Sequence, residues 1–323
     1  VDVHTHGNSG CDFSDGDEAG LRKMAAYEGS VGVTSFLPTS MTLPYEVLET
    51  AFSTARAVAD SPDKGSARVL GIDMEGPFCS LAKKGAQNPA YLKDPDLQAF
   101  RKLNESCGGL VKIVVVAPEL PGAEAFIRQA AQDCVVSIAH TDANYDQAKS
   151  GIQAGASHLT HLYNAMNSLH HRDPGPIAAC AEEENVMAEL ICDGIHIHPA
   201  AVRAAFKLFP GRICLISDSM RACGMPEGES DLGGQKVFLK GRKATLADGT
   251  IAGSATNLYD CMLSALSFGI GETEAILAAT RNPARSAGLE DQVGAIHPGL
   301  YADFVVCNED LTAKAVYIGG EKV

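Results

Sequence analysis

His4 and His6 stand i, i+2 at the end of an alternating apolar run, Val1-Asp2-Val3-His4-Thr5-His6-Gly7. Side chains two apart on a strand share a face, so both imidazoles leave together where strand meets loop. That is half of a metal site. Further ligand types end other short apolar runs: Glu75 before Gly76-Pro77, His140 after Ser137-Ile138-Ala139, His161 after His158-Leu159-Thr160, and Asp218 after Leu215-Ile216-Ser217. Imidazole together with carboxylate suits one or two borderline divalent ions, Zn2+ first, with Fe2+ or Mn2+ as alternatives. Water on such an ion has its pKa lowered to about 7, and a carboxylate beside it can take the proton and pass it to a leaving amine. Asp218 is the carboxylate placed for that task; a helix N-cap is the bland alternative for a Ser-Asp-Ser segment. His158 lies three residues before His161 and leaves its strand on the opposite face, so it reads as a core histidine. His170 and His171 read as a solvated turn. Arg172 beside them carries a guanidinium able to grip phosphate or carboxylate by two bonds.

Positioning these residues requires many strands whose ends meet. Apolar runs alternate with helical patterns, which indicates βα units around a parallel sheet. The pattern predicts eight strands, at 1–6, 31–37, 68–74, 111–117, 135–140, 157–161, 186–192 and 213–218, with helices including 17–28, 45–59, 123–132, 145–154 and 199–209. Eight such units imply a (β/α)8 TIM-type barrel. His4, His6, Glu75, His140, His161, Asp193 and Asp218 then all fall at the C-terminal strand ends, where such barrels carry their active sites. Two stretches break the rhythm. Residues 233–251 hold hairpin-turn signals at Lys240-Gly241-Arg242 and Asp248-Gly249, and the tail from Gly294 reads as two or three short strands. The expected division is a barrel over 1–290 with a β-hairpin insertion near 233–251, followed by C-terminal strands of a small β domain over 291–323.

Bulk composition narrows the function classes. With 46% apolar and 20% charged residues among 323, the chain is that of a globular protein large enough for one such barrel. A net charge of −14 without a basic block argues against a general nucleic-acid binder, so an anionic substrate must be held by local cations. No apolar run approaches the roughly 20 residues of a membrane-spanning helix, and no secretory segment is read ahead of the first strand. The ten cysteines form no C-x-x-C pair and several lie in apolar runs, which predicts reduced thiols and a cytoplasmic home.

With these residues in hand, the chain resembles the N-acetylglucosamine-6-phosphate deacetylase family of the amidohydrolase superfamily over its whole length. The matching stretches are His4-Thr5-His6-Gly7, Met74-Glu75-Gly76-Pro77-Phe78, Lys83-Lys84-Gly85-Ala86-Gln87-Asn88-Pro89, Ala139-His140-Thr141, His161-Leu162-Tyr163-Asn164-Ala165-Met166, Asp193-Gly194-Ile195-His196, Ser217-Asp218, Ile251-Ala252-Gly253-Ser254 and Asn282-Pro283-Ala284. His-x-His alone indicates the superfamily, whereas Leu-Tyr-Asn-Ala-Met and Lys-Lys-Gly-x-x-Asn-Pro indicate the deacetylases. The resemblance implies hydrolysis of the acetamide of an N-acetylhexosamine 6-phosphate. Glu75, His140 and His161 would hold the principal metal, His4 and His6 a second ion bridged by Glu75, and Asp218 would be base and acid. Asn164, Ala165, Arg172 and His196 would bind the sugar phosphate, with Arg172 reaching in from the partner of a homodimer. Residues Ile251, Ala252 and Gly253 would line the sugar pocket, with Ala86 and Gln87 among the substrate-contacting positions. Where the family usually has a His that polarises the acetyl carbonyl, this chain has Gln87, whose amide can donate a hydrogen bond but carries no charge. The family also carries a segment ahead of the His-x-His strand that completes the small β domain, so the appendage is expected to be incomplete. Alternatives that keep the barrel are another acetylated sugar phosphate, an N-acyl amino acid or a cyclic amide. A sugar-phosphate sensor on a retired hydrolase barrel is the non-enzymatic alternative.

Overall fold

Eight parallel strands, each followed by a helix, build a (β/α)8 barrel in the computed structural model, which describes residues 1–323. The barrel strands are β1 (Asp2–Thr5), β2 (Ser35–Pro38), β3 (Ile72–Met74), β4 (Val111–Val116), β5 (Val135–Ile138), β6 (His158–Leu159), β7 (Met187–Ile191) and β8 (Ile213–Ile216). Their helices are α1 (Glu18–Ser30), α2 (Tyr45–Asp60), α3 (Leu97–Ser106), α4 (Ala123–Ala130), α5 (Tyr145–Ala154), α6 (Gly175–Ala181), α7 (Pro199–Leu208) and α8 (Leu258–Ser267). Parallel pairing is continuous from β3 to β8 and joins β1 to β2. Two bridges, Thr39 with Asp73 and Thr5 with Ser219, close the circle.

Local sequence explains the elements. Helix α2 buries Leu48, Ala51, Phe52, Ala55 and Val58, a stripe at helical spacing facing the sheet. Helix α1 begins where the Asp17 carboxylate accepts the N–H groups of Ala19 and Gly20, and α5 where Asn144 and Gln147 form a reciprocal capping box. Strand β4 is Val-Lys-Ile-Val-Val-Val and nearly wholly buried, as a strand covered on both faces should be.

The expected third strand is split. Arg68–Val69 pair with β2, and after Gly71 the chain turns to pair with β4 instead. A Cβ at position 71 would lie 2.2 Å from Lys112 Cγ, so a residue without a side chain leaves room there for Lys112 of β4. Helices α3, α6, α8, α9 (Glu272–Ala279) and α10 (Arg281–Ser286) add to the five anticipated. Helix α10 covers the end where the strands begin: the Asn282 amide donates to the Ile213 carbonyl at 2.8 Å, and Ser286 Oγ lies 3.3 Å from His158 Nε2.

The insertion is a three-stranded meander rather than one hairpin, with β9 (Gly228–Leu232), β10 (Gln235–Lys240) and β11 (Lys243–Leu246). It begins earlier than anticipated because Gly228-Glu229-Ser230-Asp231 is polar and outward-facing, which hides its strand character. Leu232, Val237, Leu239, Ala244 and Leu246 point inward and pack with Met41, Met220 and Ala252 beside the barrel mouth. At the C-terminus β12 (Phe304–Cys307), β13 (Ala313–Ile318) and β14 (Glu321–Lys322) form an antiparallel sheet. Arg68 ties this sheet to the barrel, donating to Asp303 Oδ2 at 3.1 Å and lying 4.3 Å over the Tyr301 ring. All ten cysteines are free thiols, and no helix is long and apolar enough to cross a membrane.

Candidate active site

The ends of five barrel strands converge on Glu75. Its Oε1 lies 3.1 Å from His140 Nε2 and 2.9 Å from His161 Nε2, and those two nitrogens are 3.1 Å apart. On the other side His6 Nε2 is 3.4 Å from Glu75 Oε2, and His4 Nε2 is 3.4 Å from His6 Nε2. Asp218 Oδ1 stands 3.3 Å from His6 Nε2 and 3.6 Å from His4 Nε2. All six side chains anticipated as ligands or base are therefore gathered, and all are buried.

Sharp turns at the strand ends aim them. His140, His161 and Asp218 adopt left-handed backbone conformations, with φ of 43°, 31° and 47°, which non-glycine residues rarely take and which cluster at functional sites. Gly76, after Glu75, has φ 89°, and a Cβ there would lie 2.1 Å from Thr42 Oγ1. Only glycine fits that exit.

The donor set fits a divalent cation. Backbone carbonyls of Thr39 and Lys83 accept from Nδ1 of His6 (3.1 Å) and His140 (2.9 Å), and carboxylates flank His4 Nδ1. In the neutral form that binds a cation, His4, His6 and His140, with Nδ1–H so engaged, would turn bare Nε2 lone pairs inward toward Glu75 and one another. Such an array is repulsive until a cation sits among it. Two overlapping ligand groups result, Glu75 with His140 and His161, and Glu75 with His4 and His6.

Electrostatics agree with this reading. Burial alone would push the Glu75 carboxyl up, but the imidazoles of His4 and His140 outweigh it and hold it well below its usual value. Burial likewise opposes ionisation of Asp218, yet the hydrogen bond from His6 and the charge of His4 keep its pKa lowered, so it is available as a base. Burial works against a charged His4, but Glu189 and Glu75 prevail and raise its pKa, a sign that the cavity's field favours positive charge there.

Two interior carboxylates were not anticipated. Glu189 Oε2 lies 3.2 Å from His4 Nδ1 and accepts the His161 backbone N–H at 3.1 Å, while Asp73 Oδ2 also lies 3.2 Å from His4 Nδ1. Burial pushes the Asp73 pKa well above its usual range, which favours its protonated form. Burial also acts on Glu189, but His4 reverses the sign and keeps it ionised. The sequence signal was present: each is a lone acid inside an apolar strand, and Asp73 is i, i+2 from Glu75.

A cavity of about 270 Å3 opens over this centre. Ala86, Gln87, Asn164, Ala165, His196, Ile251 and Gly253 line it with Met41, Leu232 and Thr250. Asp193 accepts two backbone N–H groups and the His196 ring N–H at 2.8 Å, fixing that imidazole toward the cavity. Burial would lower the His196 pKa, but Asp193 raises it. Two expectations change, those for Ala252 and Gln87. Ala252 is turned into the apolar cluster under the meander and does not line the cavity. Arg172 is exposed in its loop, 2.7 Å from His171 Nε2, and away from this chain's own cavity, whose lining holds no Lys or Arg. The Gln87 amide, expected to face a substrate carbonyl, donates instead to Glu75 Oε2 at 2.6 Å. His158 is a core histidine as expected, 3.0 Å from Ser137 Oγ.

Comparison with known proteins places this geometry. The model of the amidohydrolase family matches residues 1–323. An N-acetylglucosamine-6-phosphate deacetylase of Bacillus subtilis is 37% identical over 316 residues, 96% of this chain and 80% of that protein. An N-acetylgalactosamine-6-phosphate deacetylase of Escherichia coli O157:H7 is 34% identical over 325 residues, covering 99% of this chain and 85% of its own length. Among solved structures, a point mutant of the Mycobacterium smegmatis N-acetyl-D-glucosamine-6-phosphate deacetylase, in complex with N-acetyl-D-glucosamine-6-phosphate, superposes with a TM-score of 0.94. It is 34% identical, and the match covers all of this chain and 85% of that one.

Proposed function

The chain belongs to the amidohydrolase family, and on that premise we propose that it hydrolyses the acetamide of N-acetylglucosamine 6-phosphate, giving glucosamine 6-phosphate and acetate. The observation that carries the reading is the convergence of Glu75, His140 and His161 beside Asp218 at the floor of one cavity. Glu75, His140 and His161 would hold the principal divalent ion, Zn2+ by the ligand set, with His4 and His6 available to a second. Such an ion would polarise the carbonyl and acidify the attacking water. Asp218 takes the proton as the water oxygen bonds to the acetyl carbon, then delivers it to the nitrogen as the C–N bond breaks. His196, Asn164 and Ala165 orient the sugar phosphate, and Ile251 and Gly253 form the wall beside the ring. With no Lys or Arg in the cavity lining, the phosphate dianion needs a cation from elsewhere, and Arg172 of the partner subunit in a homodimer supplies it. Residues 1–290 form the hydrolase barrel and 291–323 the strands of the small β domain in this reading, and the unpaired thiols fit a cytoplasmic enzyme.

The galactosamine epimer is the second reading, favoured by the similarity to the Escherichia coli protein named for it. Acetate release measured on both epimers, with metal analysis of the same sample, tests the assignment. Turnover of N-acetylglucosamine 6-phosphate by protein carrying at least one ion per chain is expected. Metal-loaded protein that binds the sugar phosphate yet releases no acetate from either epimer would refute it and leave a sensor.

A further inference from the structure

Gln87 stands in the cavity wall, 2% exposed, with its whole carboxamide engaged inside the protein. Its Oε1 accepts the Thr42 backbone N–H at 2.8 Å; only the oxygen can take that hydrogen, so the orientation of the amide is fixed. Nε2 therefore faces the other way, donating to Glu75 Oε2 at 2.6 Å and lying 3.9 Å from Met41 Sδ. One N–H is thus committed to Glu75, and the other faces the Met41 thioether rather than a carbonyl.

The bond makes the two oxygens of Glu75 unequal. Oε1 faces His140 and His161 at 3.1 and 2.9 Å, while Oε2 is held by Gln87 and lies farther, at 3.4 Å, from His6 Nε2. A charge-assisted hydrogen bond at Oε2 reduces what that oxygen can offer an ion beside His4 and His6, and it pins the rotation of the carboxylate. We propose that Gln87 is a positioning residue that makes the centre asymmetric, locking Glu75 Oε1 onto the His140 and His161 side and leaving the His4 and His6 side a weak second site. The inference rests on the reading of the cavity as a divalent-ion centre.

Cobalt(II) titration of the chelator-treated full chain, followed by visible absorption and calorimetry, tests it, with thermal melting to confirm that each variant folds. The wild type should bind one Co2+ at least about 10-fold more tightly than a second, and in Gln87→Met the gap should narrow by about 10-fold. Gln87→Leu, which also lacks the donor, should narrow it likewise. The loss in kcat/KM should be equal for N-acetyl and N-trifluoroacetyl substrates, because Gln87 touches the carboxylate and not the carbonyl. Two equally tight ions in the wild type, an unchanged gap in both variants, or a loss confined to the N-acetyl substrate would overturn the proposal alone. A chain that takes up no Co2+ would overturn the divalent-centre reading and the proposal with it.

Discussion

The floor of the cavity and its rim are built differently. At the floor, six ligand-type side chains are buried; left-handed strand ends aim His140, His161 and Asp218, and a carbonyl or carboxylate backs Nδ1 of His4, His6 and His140. At the rim, the residues that would meet a sugar phosphate sit on loops and on the meander, and the lining has one cationic candidate, His196, and no Lys or Arg. The floor gathers its acids and imidazoles within one chain, while the rim offers an anion little charge of its own. Bond-breaking demands fixed geometry, which a barrel supplies, whereas substrate choice can be left to loops.

The contrast can be broken at the floor first. Asp218→Asn should lower kcat by about a thousandfold while metal content by elemental analysis stays unchanged, since the amide keeps the shape but takes no proton. Glu189→Gln should weaken ion binding by roughly 10- to 100-fold, read by competition with a coloured chelator, because His4 loses its charged partner. At the rim, Arg172→Ala should raise KM for the phosphorylated sugar by about 10-fold and leave an unphosphorylated acetamide unaffected; equal effects on both would remove Arg172 from phosphate binding.

The smallest effect lies away from both regions. Burial raises the Glu28 pKa from 4.5 to about 8, with Asp2 adding to the shift and the Asn8 hydrogen bond opposing it. The folded state thus keeps a proton that the unfolded chain releases above 4.5, so this group's contribution to stability falls as pH climbs through that window. Glu28→Gln, which does not titrate, should match the wild-type Tm near pH 4.5 and exceed it increasingly toward pH 8. A constant Tm difference across that range would exclude the linkage.

Much of the floor was legible in the sequence, because its logic is local. His4 and His6 announce themselves through strand alternation, and Glu75, His140, His161 and Asp218 each close an apolar run. What escaped depends on distant partners. Asp73 and Glu189 are lone acids within hydrophobic strands, and only barrel closure shows them meeting one imidazole. The orientation of Gln87 is dictated by the N–H of Thr42, 45 residues away in the chain. Ala252 follows a pocket residue in sequence, but the extended chain turns it to the opposite face. Helix α6 is short and opens on Gly-Pro, and α9 lacks a clear apolar stripe, so neither carries a strong periodic signal.

The seam between β1 and the end of β8 has a consequence for how activity is acquired. Asp218 N–H donates to the His4 carbonyl at 3.0 Å and His6 N–H to the Ser219 carbonyl at 2.8 Å, so the first and last strands zip together beside the histidine pair. These partners are separated by more than two hundred residues, and contacts of such long loop length form slowly. A ribosome must therefore release all eight barrel strands before Asp218 can reach the histidine pair, and a chain stopped short of β8 cannot form this seam.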